Sequence, residues 1–162
     1  MSTKSNIKRK SRTGLYAAIA IIVIIIVVGI AVAFVYTRPG SSSSAIKVTL
    51  YAGEIRPGTY GFGNSSSVTS PGPTLTFKEG QAYTVTVDNV GTMLHSWEIN
   101  TQNSTSGQVL FNSDINPGTY ISPGQSASVT FTPNQTGNFY YICPVPGHAS
   151  SFGMWGNVVV TS

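Results

Sequence analysis

Two hydrophobic patterns divide this chain. The first is an unbroken run, Leu15 to Tyr36, with 22 residues, no charge and a predominance of Ile, Val and Ala. It is long enough to cross about 30 Å of hydrocarbon as one helix, and it lacks the polar face that a surface helix of a globular domain keeps. The second pattern is alternation. Gln81 to Asp88 places Tyr83, Val85 and Val87 on one face, and Ser126 to Thr132 turns Val129 and Phe131 inward. Phe139 to Cys143 reads as a further strand, with Phe139, Tyr141 and Cys143 sharing a face. Pro57-Gly58, Pro71-Gly72, Pro117-Gly118, Pro123-Gly124 and Thr136-Gly137 mark turns between such segments. No segment after residue 40 sustains helical periodicity. Short strands between regular turns predict an all-β fold, an antiparallel sandwich or barrel of two sheets.

These patterns predict a basic tail at 1–14, a transmembrane anchor at 15–36, a serine-rich linker at 37–45 and a folded domain at 46–162. Charge supports the division. Lys4, Lys8, Arg9, Lys10 and Arg12 precede the apolar run and Arg38 follows it; from Gly40 onward three basic residues face five acidic ones. The net charge of +4 therefore belongs to the N-terminal part, which argues against a nucleic-acid surface on the domain. The positive-inside bias places the tail in the cytoplasm and the domain outside the cell membrane. A cleaved signal peptide is the competing reading, because Ala31-Val32-Ala33 has the form of a cleavage site. Asn64, Asn103 and Asn134 each begin a glycosylation acceptor triplet. Pro-Gly-Thr-Tyr occurs at 57–60 and 117–120, which reads as a recurrent turn into a strand rather than a duplication.

Candidate chemistry is concentrated in few residues. Cys143 is the only cysteine, and the chain has two histidines, His95 and His148. Cys143-Pro144-Val145-Pro146-Gly147-His148 is followed by Phe152-Gly153-Met154-Trp155-Gly156. A single cysteine forms no internal disulfide. Taken singly, each residue has an ordinary explanation: a buried thiol as a small hydrophobe, a hydrogen-bonded histidine, a methionine packed in the core. Taken together, a thiolate, two imidazoles and a thioether form the ligand set of a trigonal His₂Cys copper site with a weak axial sulfur. Pro144 and Pro146 stiffen the intervening loop by fixing φ, and Gly147 permits a sharp turn. A stiff loop limits rearrangement between the two copper oxidation states.

These words resemble the cupredoxins, and within them the membrane-anchored archaeal sulfocyanins, with rusticyanin as a cousin. The resemblance covers residues 45–162 and rests on His95-Ser96 and on Phe139 through Gly156. It implies a Greek-key β-sandwich with one type 1 copper, bound by His95, Cys143 and His148 with Met154 as axial ligand. Five residues separate His148 from Met154, more than cupredoxins commonly have, so Met93 stays open as the axial alternative. The resemblance also implies electron transfer in a respiratory chain, with a membrane terminal oxidase complex as the redox partner. An enzyme would need further histidines for a second metal centre. A dinuclear copper site would need a second cysteine. Copper storage or delivery on the outer face of the membrane is the alternative function, one usually served by several exchangeable Met or Cys ligands.

Overall fold

The computed structural model describes residues 44–162. The basic tail, the expected anchor, the cleavage-site triplet and most of the linker lie outside the described residues. Among those described, no helix is long and apolar enough to cross a membrane.

The domain is a two-sheet β-sandwich. Its strands are β1 (Ile46–Arg56), β2 (Thr59–Gly63), β3 (Gly72–Lys78), β4 (Tyr83–Asn89), β5 (Glu98–Asn100), β6 (Ser126–Phe131), β7 (Gly137–Ile142) and β8 (Trp155–Thr161). One sheet has the order β2-β1-β4-β6 and the other β3-β8-β7-β5. Period-2 burial explains the arrangement. Tyr83, Val85 and Val87 of β4 are buried while Thr84, Thr86 and Asp88 are less so, and in β6 the inward row is Ala127, Val129 and Phe131. On the outward side of this pair, Thr84 and Thr86 bond the hydroxyls of Thr130 and Ser128 at 2.8 Å each.

The expectation of antiparallel sheets needs correction. β1 pairs with β4 in parallel, Ile46 opposite Tyr83 through Ala52 opposite Asn89. β3 and β8 are parallel as well. The reason is topological: the chain leaves β1 through β2, crosses to the other sheet as β3, and returns as β4 in β1's own direction. Parallel neighbours require such a crossover, here without a helix.

Aromatic side chains fill the space between sheets. Phe77 and Phe131 meet edge to face at 5.3 Å between centroids, and Trp97 lies 5.9 Å from Phe131 and 6.1 Å from Tyr141. The Tyr141 hydroxyl donates to the carbonyl of Pro73 at 2.7 Å, satisfying its one polar group. Gly72 and Gly156 flank the Tyr141 ring so closely that a methyl on either would strike it.

The two Pro-Gly-Thr-Tyr words serve different places. The first turns β1 into β2, whereas the second lies in the long connection between β5 and β6. That connection supplies buried Ile115 and Ile121. The Ile115 N–H donates to the Trp97 carbonyl at 3.0 Å, and His95 and Ile121 exchange backbone hydrogen bonds at 3.2 and 2.7 Å. The segment leading to β5, which carries His95, is thus braced by a loop rather than by a full strand.

Candidate metal centre

His95, Cys143 and His148 converge at one end of the sandwich. Their ligand atoms all lie within 4.8 Å of one another, and all three residues are buried. Cys143 follows the last residue of β7, and its N–H donates to the Met154 carbonyl at 3.0 Å. The chain then turns through a loop closed by its own backbone. His148 N–H donates to Val145 O at 3.0 Å, Ser151 and Phe152 N–H both donate to Gly147 O, and Met154 N–H donates to His148 O at 2.9 Å. Gly147 and Gly153 adopt φ of 81° and 76°, values that L side chains rarely take. The Gly153 carbonyl also accepts the Ser70 hydroxyl at 2.5 Å, which ties the loop to the approach to β3.

The thiol sits at the centre of this cluster. Cys143 Sγ lies 3.5 Å from His148 Nδ1 and accepts the Ser96 N–H at 3.4 Å. Burial pushes its pKa up to about 12, against the opposing pull of the Ser96 and Val145 N–H groups. Without metal it is therefore a neutral thiol, and metal binding must displace its proton. Burial, and then the neighbouring His95, lowers the His148 pKa to about 4. Burial also holds His95 below its ordinary value, against the attraction of Glu54. Both imidazoles are thus neutral near pH 7, the form that binds metal.

His148 is only 4% exposed, so its ring edge is covered. The Tyr60 ring stands 4.6 Å from the His148 ring and 5.7 Å from that of His95, and Phe152 closes on Tyr60 at 4.9 Å. Met154 is wholly buried, whereas Met93 is 47% exposed. Asn64, Asn103 and Asn134 are all exposed.

The residues fit copper. One thiol and two neutral imidazoles in a buried trio are soft and borderline donors of the kind that select it. The fully buried His95 has no hydrogen-bond partner on Nδ1, as a nitrogen reserved for a metal would.

A model of the copper binding proteins of the plastocyanin/azurin family matches residues 57–161. The chain belongs to that family. This cupredoxin domain is also similar to solved structures of larger proteins. One is the multicopper oxidase mgLAC, with TM-score 0.55 and 25% identity, covering 72% of this chain and 39% of that one. Another is the blue copper oxidase from Nitrosomonas europaea, with TM-score 0.53 and 22% identity over 72% and 39% of the two chains. A third is the copper nitrite reductase from Nitrosomonas europaea, with TM-score 0.55 and 23% identity over 72% and 41%. The cupredoxin chain thus spans about two fifths of each of these structures. No curated protein matches its sequence.

Three contributors to the cupredoxin site escaped the sequence reading. Asn89 is buried, and its amide donates to the carbonyls of Met93 and Ile121 at 2.8 Å each, bracing both sides of the His95 segment. Tyr60 covers the imidazoles. Glu54 faces His95 at 3.4 Å. Only Glu54 had a legible signal: it continues the inward row of Leu50 and Ala52 on β1, an unusual place for an acid.

Proposed function

We propose that this protein is a membrane-anchored type 1 copper protein of the sulfocyanin kind, carrying single electrons in a respiratory chain. The observation that carries this reading is the burial of the ligand set. His95 and Cys143 are fully buried and His148 is 4% exposed. An electron passes through a thin covering of side chains, whereas a substrate molecule does not.

Copper, when bound, would accept and return one electron. The protein's part is to hold the ligands still. The Val145, Gly147 and His148 backbone bonds clamp the loop, and Pro144 and Pro146 restrict it further. Met154, buried and tied by backbone bonds to both Cys143 and His148, would offer its thioether as a weak fourth ligand. The Tyr60 and Phe152 rings exclude water and lower the local dielectric, which disfavours the more highly charged Cu(II) state. Electrons would enter and leave across the Tyr60–Phe152–His148 end of the sandwich.

The same burial argues against storage or delivery, which needs exchangeable ligands. A catalytic metal centre within this chain would have to be built without histidine or cysteine, since both histidines and the single cysteine belong to the trio. The uncharged run at 15–36 and the basic residues before it support an anchor with the domain outside the cell membrane. The resemblance to sulfocyanins points to a terminal oxidase complex as partner. Titrating the metal-free protein with Cu(II) tests the centre. An intense visible band at one copper per chain, bleached by dithionite and accompanied by release of about one proton from the Cys143 thiol near pH 7, supports it. Colourless binding refutes it.

A further inference from the structure

A carboxylate stands beside the more deeply buried of the two histidines. On the inward face of β1, Leu50 and Ala52 are fully buried and Glu54 comes next in the alternation. β1 shifts register between Glu54 and Arg56, an irregularity of the kind that re-aims side chains at the end of a strand. The carboxylate is gripped from the opposite side by backbone. Met93 N–H donates to Oε1 and Thr92 N–H to Oε2, both at 2.9 Å. Gly91 leaves the room for this, since a methyl there would come within 2.5 Å of Oε2.

So held, Oε1 lies 3.4 Å from His95 Nε2; the histidine side chain is 0% exposed and that of Glu54 is 22% exposed. This contact is slightly longer than a full hydrogen bond. Neither ring nitrogen of His95 has another partner. Two unpartnered nitrogens on one buried ring call for two explanations. With Nε2 turned toward Glu54, Nδ1 is the nitrogen left for the metal.

We propose that Glu54 is the positioning residue for the copper ligand His95, accepting its Nε2–H and setting a negative charge next to the site. The proposal rests on the copper reading above. Accepting Nε2–H selects one imidazole tautomer, so that the Nδ1 lone pair faces Cys143 and His148. The charge favours Cu(II) over Cu(I), opposing the effect of the aromatic covering. Because the same carboxylate grips Thr92 and Met93, it also couples the position of His95 to β1. Outer carboxylates of this kind shift metal affinity by roughly 10- to 100-fold.

The chain has two histidines, so the nitrogen NMR spectrum of untagged, histidine-labelled full-length protein contains two rings. In the metal-free protein, His95 is expected as a single Nε2–H tautomer. Glu54→Gln keeps an acceptor oxygen and should keep that tautomer and the colour while raising the reduction potential. Glu54→Ala should give mixed tautomers and a Cu(II) dissociation constant raised roughly 10- to 100-fold. A wild-type His95 protonated on Nδ1, or mixed, overturns the proposal. So does an unchanged potential in Glu54→Gln, the result expected if Glu54 only anchors the loop. Should wild type bind copper without colour, the type 1 reading fails, and the metal-free tautomer still decides the role of Glu54.

Discussion

The two histidine-bearing regions reach the same point by opposite means. The His148 loop is local: within twelve residues its backbone bonds link Cys143 to Met154, Val145 to His148, Gly147 to Phe152 and His148 to Met154. The His95 segment has little local support beyond the Asn89 amide, which reaches the Met93 carbonyl four residues on. It is held by Asn89, by Ile115 and Ile121 of the β5–β6 connection, and by Glu54 on β1. The local loop is a preformed clasp for a thiolate and an imidazole. The His95 segment exists in its geometry only once both sheets and the long connection have packed. The centre is thus formed when tertiary folding brings a distant ligand to a local clasp.

The strongest break removes the thiolate on which the clasp is built. Cys143→Ser should lose the intense visible band completely, because the sulfur–copper bond generates it; absorbance after Cu(II) addition reads the result. His95→Ala and His148→Ala should each lose the band as well. Equal loss from both would show that the distant ligand is as necessary as the local one.

Stability should separate the two regions next. In Asn89→Ala, two carbonyls lose their donor, at a cost of about 1–3 kcal/mol. Gly153→Ala places a Cβ 2.6 Å from Ser70 Oγ at a φ of +76°, costing about 1–2 kcal/mol in backbone strain alone. Denaturant unfolding of the metal-free variants measures both. If the comparison holds, Asn89→Ala should also broaden the NMR signals of His95 while leaving those of His148 sharp, and Gly153→Ala should do the reverse.

A smaller effect concerns the two methionines, one from each region. Met154→Leu, nearly volume-conserving in the core, should keep the colour and raise the reduction potential, since a sulfur donor that favours Cu(II) is gone. Met93→Leu, on a half-exposed side chain, should shift it little. Redox titration of the pair decides: a rise at Met93 and none at Met154 would transfer the axial role to the His95 segment.

The gentlest perturbation is pH. Both imidazoles titrate below their unfolded value near 6.5, His148 at about 4 and His95 in the same direction. The unfolded chain then binds more protons than the native one across that interval. Metal-free protein should be most stable between about pH 6.5 and 8, losing stability progressively as pH falls toward 4 and again at alkaline pH, where the unfolded chain gives up the thiol proton that buried Cys143 keeps. Melting temperature against pH checks this. A flat profile would mean that neither region is as closed as its burial indicates.

How much was legible follows from the same comparison. The inward rows Tyr83-Val85-Val87 and Val129-Phe131 could be read directly, because strand alternation is a property of neighbouring residues. So could the Cys143–Met154 words, whose prolines and glycines act on their own φ angles. Sheet direction was misread, since whether β1 and β4 run parallel depends on which sheet the intervening chain visits, and no local pattern encodes that. The covering of His148 is equally silent in the local pattern: Tyr60, which closes over it, lies 88 positions earlier in the chain.

The sequence by itself determined the all-β class, the poverty of metal-binding side chains and the clasp from Cys143 to His148, because each is set by residue type or by contacts only a few residues apart. Tertiary structure alone decided that Glu54 and Tyr60 would face the histidines and that Asn89 would tie Met93 to Ile121 beside them. Their roles come from convergence of β1, β2, β4 and the β5–β6 connection at one end of the sandwich. A glutamate or a tyrosine carries no mark in its local sequence of the distant imidazole it will meet; only the packing of the two sheets supplies that distance and the low dielectric that gives it force.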